Sequence, residues 1–116
     1  MSVKVSHVVF DCEDPVALSA FWSGVLDLPV DDGATAFFAT VGRRAPGVAF
    51  LFIKVPEPRN GKNRLHVDLS AADREAEVDR MIGLGAKRVG DFDEYGARWT
   101  TLADPEGNLF DVGAEV

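Results

Sequence analysis

The sequence predicts an α+β protein of two tandem βαβββ modules, forming cupped mixed sheets with the helices outside. Three observations predict this. The first is an internal repeat: His7 and His66 stand 59 residues apart (66 − 7 = 59), and the chain aligns on itself at that shift without a gap. Val8 then meets Val67, Asp14 meets Asp73, Ala17 meets Ala76, Gly24 meets Gly83, Val30 meets Val89, Asp32 meets Asp91 and Pro46 meets Pro105. The second is patterning: after each histidine, strand-like alternation gives way to helical spacing and then to short strand-like runs. The third is punctuation, since acidic cap residues open both helical stretches and Gly or Pro turns separate the later strands. A duplicated unit with one histidine near the start of each copy implies a pseudo-symmetric fold with a site shared by the copies.

Each element has a local cause. Residues 3–12 (VKVSHVVFDC) are rich in β-branched residues and stop at Glu13–Asp14–Pro15, which reads as a strand. Asp14 as N-cap and Pro15 at the first helical position open a helix. Its apolar face is Leu18, Phe21, Trp22, Val25 and Leu26, and it ends near Asp27 because Pro29 disfavours helical geometry at Leu28. Short strands follow at 29–32, 36–42 and 47–55. In the second copy RLHVDLS (64–70) alternates, with Leu65, Val67 and Leu69 covering a helix and Arg64, His66 and Asp68 facing the other way. Ser70 and Asp73 resemble a capping box, Val78, Met81 and Ile82 form the helix stripe, and Gly83 and Gly85 close it. Strands at 87–92, 98–103 and 109–114 finish the unit. Residues 57–63 are polar and turn-rich, so the single domain 1–116 divides into a module of about 1–56, a linker and a module of about 64–116.

Composition narrows the partners. A formal net charge of −7 argues against nucleic acid or an anionic membrane surface. The single cysteine excludes an internal disulfide and fits a reducing cytosol, and its phase with Val8 and Phe10 marks Cys12 as a small buried hydrophobe. Neither a signal-like N-terminus nor an apolar run of membrane-spanning length is present, so a cytoplasmic protein is expected.

Strand parity singles out the residues that carry chemistry. His66 faces away from the helix with Arg64 and Asp68, and by symmetry His7 does so with Val5, Val9 and Asp11. Asp111 follows the turn Asp104–Pro105–Glu106–Gly107–Asn108 in the last strand. Two imidazoles and a carboxylate with positions left open are a ligand set for a divalent Fe, Mn, Ni or Zn, while an organic cofactor is not expected. Such a metal polarises a bound oxygen or activates bound water. The mate of Asp111 at the same shift is Phe52 (111 − 59 = 52), a ring that cannot ligate, which sets a ceiling of three protein ligands. Phe50, Phe52, Trp99 and Phe37 are expected to line a pocket, rimmed by Lys62, Arg64, Tyr95 and Arg98. Of these, Phe50, Phe52, Arg64 and Trp99 are the expected substrate contacts.

SHVVFDCEDP (6–15), FWSGVLDLPV (21–30), RLHVDLS (64–70) and DPEGNLFDV (104–112) together resemble the glyoxalase/bleomycin-resistance/extradiol-dioxygenase group, the vicinal oxygen chelate superfamily, and its small glyoxalase-like branch in particular. The resemblance covers nearly the whole chain. It implies a divalent metal on the concave faces of paired modules, with His7 and His66 matching the family's two histidines and Asp111 standing where the family places a glutamate. Asp for Glu and Phe52 at the remaining ligand position depart from glyoxalase I itself. The resemblance also implies a homodimer.

Two functional classes follow. One is a metal-dependent lyase, isomerase, group transferase or dioxygenase acting on a small oxygenated metabolite or antibiotic. The other is a metal-free protein of the bleomycin-resistance type that sequesters an aromatic or cationic compound.

Overall fold

A computed structural model describes residues 4–94 and 96–114 of the chain. The elements in order are β1 (His7–Cys12), α1 (Pro15–Leu26), β2 (Phe38–Val41), β3 (Ala49–Lys54), β4 (Asp68–Ala71), α2 (Arg74–Leu84), β5 (Lys87–Glu94), β6 (Ala97–Ala103) and β7 (Leu109–Ala114). Contacts divide the chain into two compact units, Met1–Arg59 and Asn60–Val116. The first holds a three-stranded sheet of order β1-β3-β2 and the second a four-stranded sheet of order β4-β7-β6-β5. Both are mixed, because β1 runs parallel to β3 and β4 parallel to β7 while the remaining pairs are antiparallel. The expected strand at 29–32 shrinks to one bridge, Val30 to Val41. That stub flanks β2 as β5 flanks β6, so the sheet order is the same twice. No helix of the described residues is long and apolar enough to cross a membrane.

The helix starts follow from the repeated aspartates. The Asp14 carboxylate accepts from the Ala17 amide at 3.1 Å, and the Asp73 carboxylate accepts from the Ala76 amide at the same distance. Each satisfies one of the unpaired amides at a helix N-terminus. Ser70, expected in the second cap, lies in β4 instead. The first helix stops at Asp27, whose φ of 55° is left-handed, ahead of Pro29. Gly85 closes the second at a φ of 123°, which few residues other than glycine adopt.

The two units bury different cores. In the first, Leu18, Phe21, Trp22 and Val25 of α1 are buried. The Phe10 ring lies 5.5 Å from Trp22, 5.4 Å from Phe50 and 5.0 Å from Phe52. Phe52 is fully buried and Phe50 nearly so. These two rings were expected to line a pocket; they form the core beneath α1. The register explains why. Phe50 pairs with Val8 and Phe52 with Phe10, and directly paired residues share a face, so the parity that turns Phe10 toward α1 turns Phe50 and Phe52 the same way. In the second unit Val78 and Met81 of α2 are buried, whereas Ile82 is exposed. Here a polar network joins helix to sheet: Arg74 donates to the buried Thr100 hydroxyl at 2.6 Å, and that hydroxyl donates to Asp91 at 2.7 Å. Arg88 bridges Asp91 and Glu75.

One slip separates the copies. Phe10 pairs with Phe52, but its repeat mate Leu69 pairs with Val112, which is 60 residues beyond Phe52 rather than 59. The structural counterpart of Asp111 is therefore Leu51, not Phe52. Leucine has no donor atom either, so the counterpart still offers no ligand. A shift of one residue exchanges the two faces of a strand, and this one separates a core position from an open-face position. Truncating Phe52 tests the core assignment. Phe52→Ala should cost about 3–5 kcal/mol of stability in urea or guanidinium unfolding, as a buried ring does, rather than the few tenths expected of a pocket-lining ring.

Candidate functional site

The second sheet presents its functional side chains on the face away from α2. Asp68 pairs with Asp111 across the parallel β4–β7 ladder, and Asp111 pairs with Thr101 across β6–β7. Three consecutive strands thus place Asp68, Asp111 and Thr101 in one row. The next row holds Ser70, Gly113, Trp99 and Phe92 on β4, β7, β6 and β5. Trp99 and Phe92 stack at 5.6 Å with their planes 20° apart. Gly113 puts no side chain between Asp111 and the aromatic pair, and a methyl built there would meet only a carbonyl oxygen at 3.7 Å.

β7 is aimed by the turn that precedes it. Asp104 is buried, and its Oδ1 accepts from the amides of Glu106 and Asn108 at 3.0 and 2.9 Å. Its own amide donates to the Asn108 carbonyl, and Gly107 takes a φ of 86° to close the loop. This turn locks the register of β6 on β7, and so fixes which residue faces Asp111. The same end of the strand is also held from a distance: the Asn63 side chain accepts from the Leu109 amide at 2.9 Å and donates to the Leu109 carbonyl at 3.3 Å. Asn63 thereby fills the backbone groups that an earlier start of β4 would have paired. The strand expected from residue 64 accordingly begins at Asp68, with the Asp111 amide reaching back to the Val67 carbonyl. Leu65, expected over the helix, is 85 % exposed in that bend.

His66 lies just before β4 yet keeps the expected side. Its Nδ1 is 2.9 Å from Asp68 Oδ1 and 3.7 Å from Asp111 Oδ2. The Asp111 side chain is the most enclosed of the three, 21 % exposed against 44 % for His66 and 72 % for Asp68. One donor atom from each of the three lies within 4.8 Å of the others. A transition metal about 2.1 Å from each of two donors separates them by at most about 4.2 Å, so small side-chain rotations bring this set to bonding distance. An imidazole with carboxylates suits a first-row divalent ion.

The remaining expected residues fall as follows. His66 and Asp111 are brought together. His7 opens β1 in the first unit, on the face away from α1, paired with Ala49. Trp99 is half-buried on the same face as Asp111. Arg64 and Lys62 are exposed in the segment before β4, and Phe37 is 68 % exposed. Arg98 has the opposite parity from Trp99 and pairs with Asp93 at 3.1 Å, which removes it from the rim. Tyr95 lies outside the described residues. Sequence reasoning passed over Asp68 as a donor and missed Thr101 and Asn63. The signal for Thr101 was available: a hairpin turning about Glu106 sets residue 101 opposite residue 111.

Residues 7–113 match the family model described as a Glyoxalase-like domain. The chain belongs to this glyoxalase-like family. No curated protein sequence matches it. Solved structures share the fold at low identity. A glyoxalase/bleomycin resistance protein/dioxygenase family enzyme from Burkholderia phytofirmans is 20 % identical with a TM-score of 0.80, over 98 % of this chain and 100 % of that one. A variant of the genomically encoded fosfomycin resistance protein of Listeria monocytogenes, complexed with Mn(II) and 1S,2S-dihydroxypropylphosphonic acid, is 13 % identical with a TM-score of 0.81, over 100 % and 93 %. Lactoylglutathione lyase from Agrobacterium tumefaciens is 16 % identical with a TM-score of 0.67, over 96 % and 92 %. These neighbours show that the chain shares their fold from end to end.

The turn before β7 is directly testable. Asp104→Ala strips the acceptor from two backbone amides of the loop, and each donor left unsatisfied costs about 1–3 kcal/mol where buried. Urea unfolding should show the loss, and hydrogen exchange at the Glu106 and Asn108 amides should quicken ahead of the rest of the sheet.

Proposed function

We propose that this glyoxalase-like protein acts on a small oxygen-bearing molecule at a divalent metal, with His66 and Asp111 as ligands. The observation that carries the reading is the convergence of His66, Asp68 and Asp111 within 4.8 Å, the two aspartates on the adjoining β4 and β7 and the histidine just before β4. Asp68 stands beside the other two as a further donor, and His7 is proposed as a ligand from the internal repeat, its strand parity and the family resemblance. The ion is Fe, Mn, Ni or Zn, and its chemistry when bound is Lewis-acid polarisation of a substrate oxygen or activation of water. The chain's residues hold the ion and leave positions open, as catalytic sites do. Trp99 lies one row from Asp111, where it meets the organic part of the substrate, and the exposed Arg64 is a cationic contact for an anionic one. Isomerase, lyase, group-transfer and dioxygenase chemistry all fit such a centre. The Mn(II) complex of the Listeria neighbour supports a metal-dependent reading, and the lyase among the others supports an enzymatic one.

A second reading has its own observation. The Phe92–Trp99 pair offers a stacking surface on an acidic chain, which suits sequestration of a planar cationic compound without a metal. Metal analysis of untagged protein separates the two. Under the metal reading, the wild type takes up stoichiometric Mn, Fe, Ni or Zn, and free metal at 100 times Kd stabilises it by about 2.7 kcal/mol. His66→Ala should abolish both the uptake and the metal-dependent rise in melting temperature, with little change in the metal-free protein, because the side chain is half-exposed. Equal destabilisation with and without chelator would make His66 a structural residue and overturn the metal reading.

We further propose a homodimer. On the first sheet, Val9 and Ile53 are 54 % and 39 % exposed on the face away from α1, an apolar surface that association would cover. Light scattering at micromolar concentration should give twice 12.5 kDa, and the monomer mass would overturn this.

A further inference from the structure

We infer that Thr101 is a positioning residue for the proposed metal centre, one that presents a single oxygen of Asp111 to the ion. The inference rests on the metal reading above and adds to it a residue that does not itself ligate. Its basis is a bond between neighbouring strands. The Thr101 hydroxyl donates to Asp111 Oδ1 at 2.6 Å, and the two residues are direct partners across β6–β7. That length is typical of a hydroxyl donating to an ionised carboxylate, one of the stronger classes of hydrogen bond. Thr101 is 9 % exposed, so its β-branched side chain has little freedom to turn elsewhere.

The bond divides the labour of the carboxylate. Oδ1 is engaged by Thr101, and Oδ2 is the oxygen facing His66 at 3.7 Å. A carboxylate free to rotate presents either oxygen or both, and its ordering opposes metal binding. One held by a neighbouring hydroxyl has already been ordered by the fold. The constraint bears more heavily on an aspartate, because the shorter side chain cannot make up for a misdirected Cα–Cβ bond. The hydroxyl is what matters here, not the packing: serine supplies the same donor in this position, and valine supplies the same shape without it.

The test compares wild type, Thr101→Val and Thr101→Ser, each untagged and full length, by Mn(II) titration read from the electron paramagnetic resonance signal of the free ion. Melting temperatures of the chelator-treated proteins are measured alongside. The expected result is a roughly 10–100-fold weaker affinity for Thr101→Val, with Thr101→Ser within about threefold of wild type. A general loss of packing would weaken both variants alike and appear as a lower melting temperature without metal. If wild type binds Mn(II) and Thr101→Val binds it equally, or if Thr101→Ser is as weak as Thr101→Val, the positioning role is overturned while the metal reading stands. If wild type binds no Mn(II), Fe(II), Ni(II) or Zn(II), the metal reading falls and this inference falls with it. Should Thr101→Val not fold, Thr101→Ala, which also lacks the hydroxyl but adds no bulk, is read in the same way.

Discussion

The register of β7 is the constraint on which the second unit depends. Asp104 spends its carboxylate on the loop amides, and the strand that leaves the loop can then pair with β6 in only one way. That pairing sets Asp111 opposite Thr101 and, through the parallel ladder on its other edge, opposite Asp68. Nothing about Asp111 itself selects its neighbours. Moving the register by one residue would put Phe110 or Val112 in its place and turn the carboxylate into the α2 core. Asn63 reinforces the same strand from the opposite direction, holding the Leu109 amide and carbonyl with a side-chain amide where no strand backbone is available. The two aspartates of the candidate centre are thus a consequence of strand pairing, while His66 is delivered by the segment just before β4.

Much of this was legible from the residues, and what was not has a physical reason. The caps were plain because Asp14 and Asp73 act within three residues of themselves, and local hydrogen bonding is written in local sequence. The sides taken by His66 and Asp68 were equally plain from alternation. Failure came where an inference crossed from one strand to another. Phe50 and Phe52 were read by their own parity alone, without the pairing to Val8 and Phe10 that turns them toward α1. The gapless repeat concealed two unequal connections: the path from β1 to β2 is two residues shorter than that from β4 to β6, and the hairpin after it is one residue longer, so Asp111 was matched to a core phenylalanine when its counterpart is Leu51. Asn63 contacts a residue 46 positions away, a distance over which sequence pattern carries no information without the fold.

The two units also show how one topology tolerates different means of joining helix to sheet. In the first, α1 buries Leu18, Phe21, Trp22 and Val25 against aromatic strands, and the interaction is chiefly area removed from water. In the second, α2 buries only Val78 and Met81, and the Arg74–Thr100–Asp91 chain takes over part of the contact. Thr100 is fully buried, so its hydroxyl must be satisfied, and it both accepts from Arg74 and donates to Asp91. This network is buried only at Thr100 and open to solvent at Asp91, so its charges contribute little net stability, while the hydroxyl it satisfies penalises any other placement of the helix.

That difference bears on the open faces. In the second sheet adjacent threonines work on opposite sides: Thr100 anchors α2 on one, and Thr101 holds Asp111 on the other. β6 therefore has hydrogen bonds drawing on both of its faces at the same point along its length. A strand pinned in this way resists the small rotations that would move Asp111 relative to His66. For a site whose carboxylate is the short one, such stiffness counts for more than an extra methylene, because a longer side chain regains reach only by giving up direction. The stiffness of β6 reaches Asp111, which lies on the neighbouring strand, through the backbone ladder and the Thr101 hydroxyl.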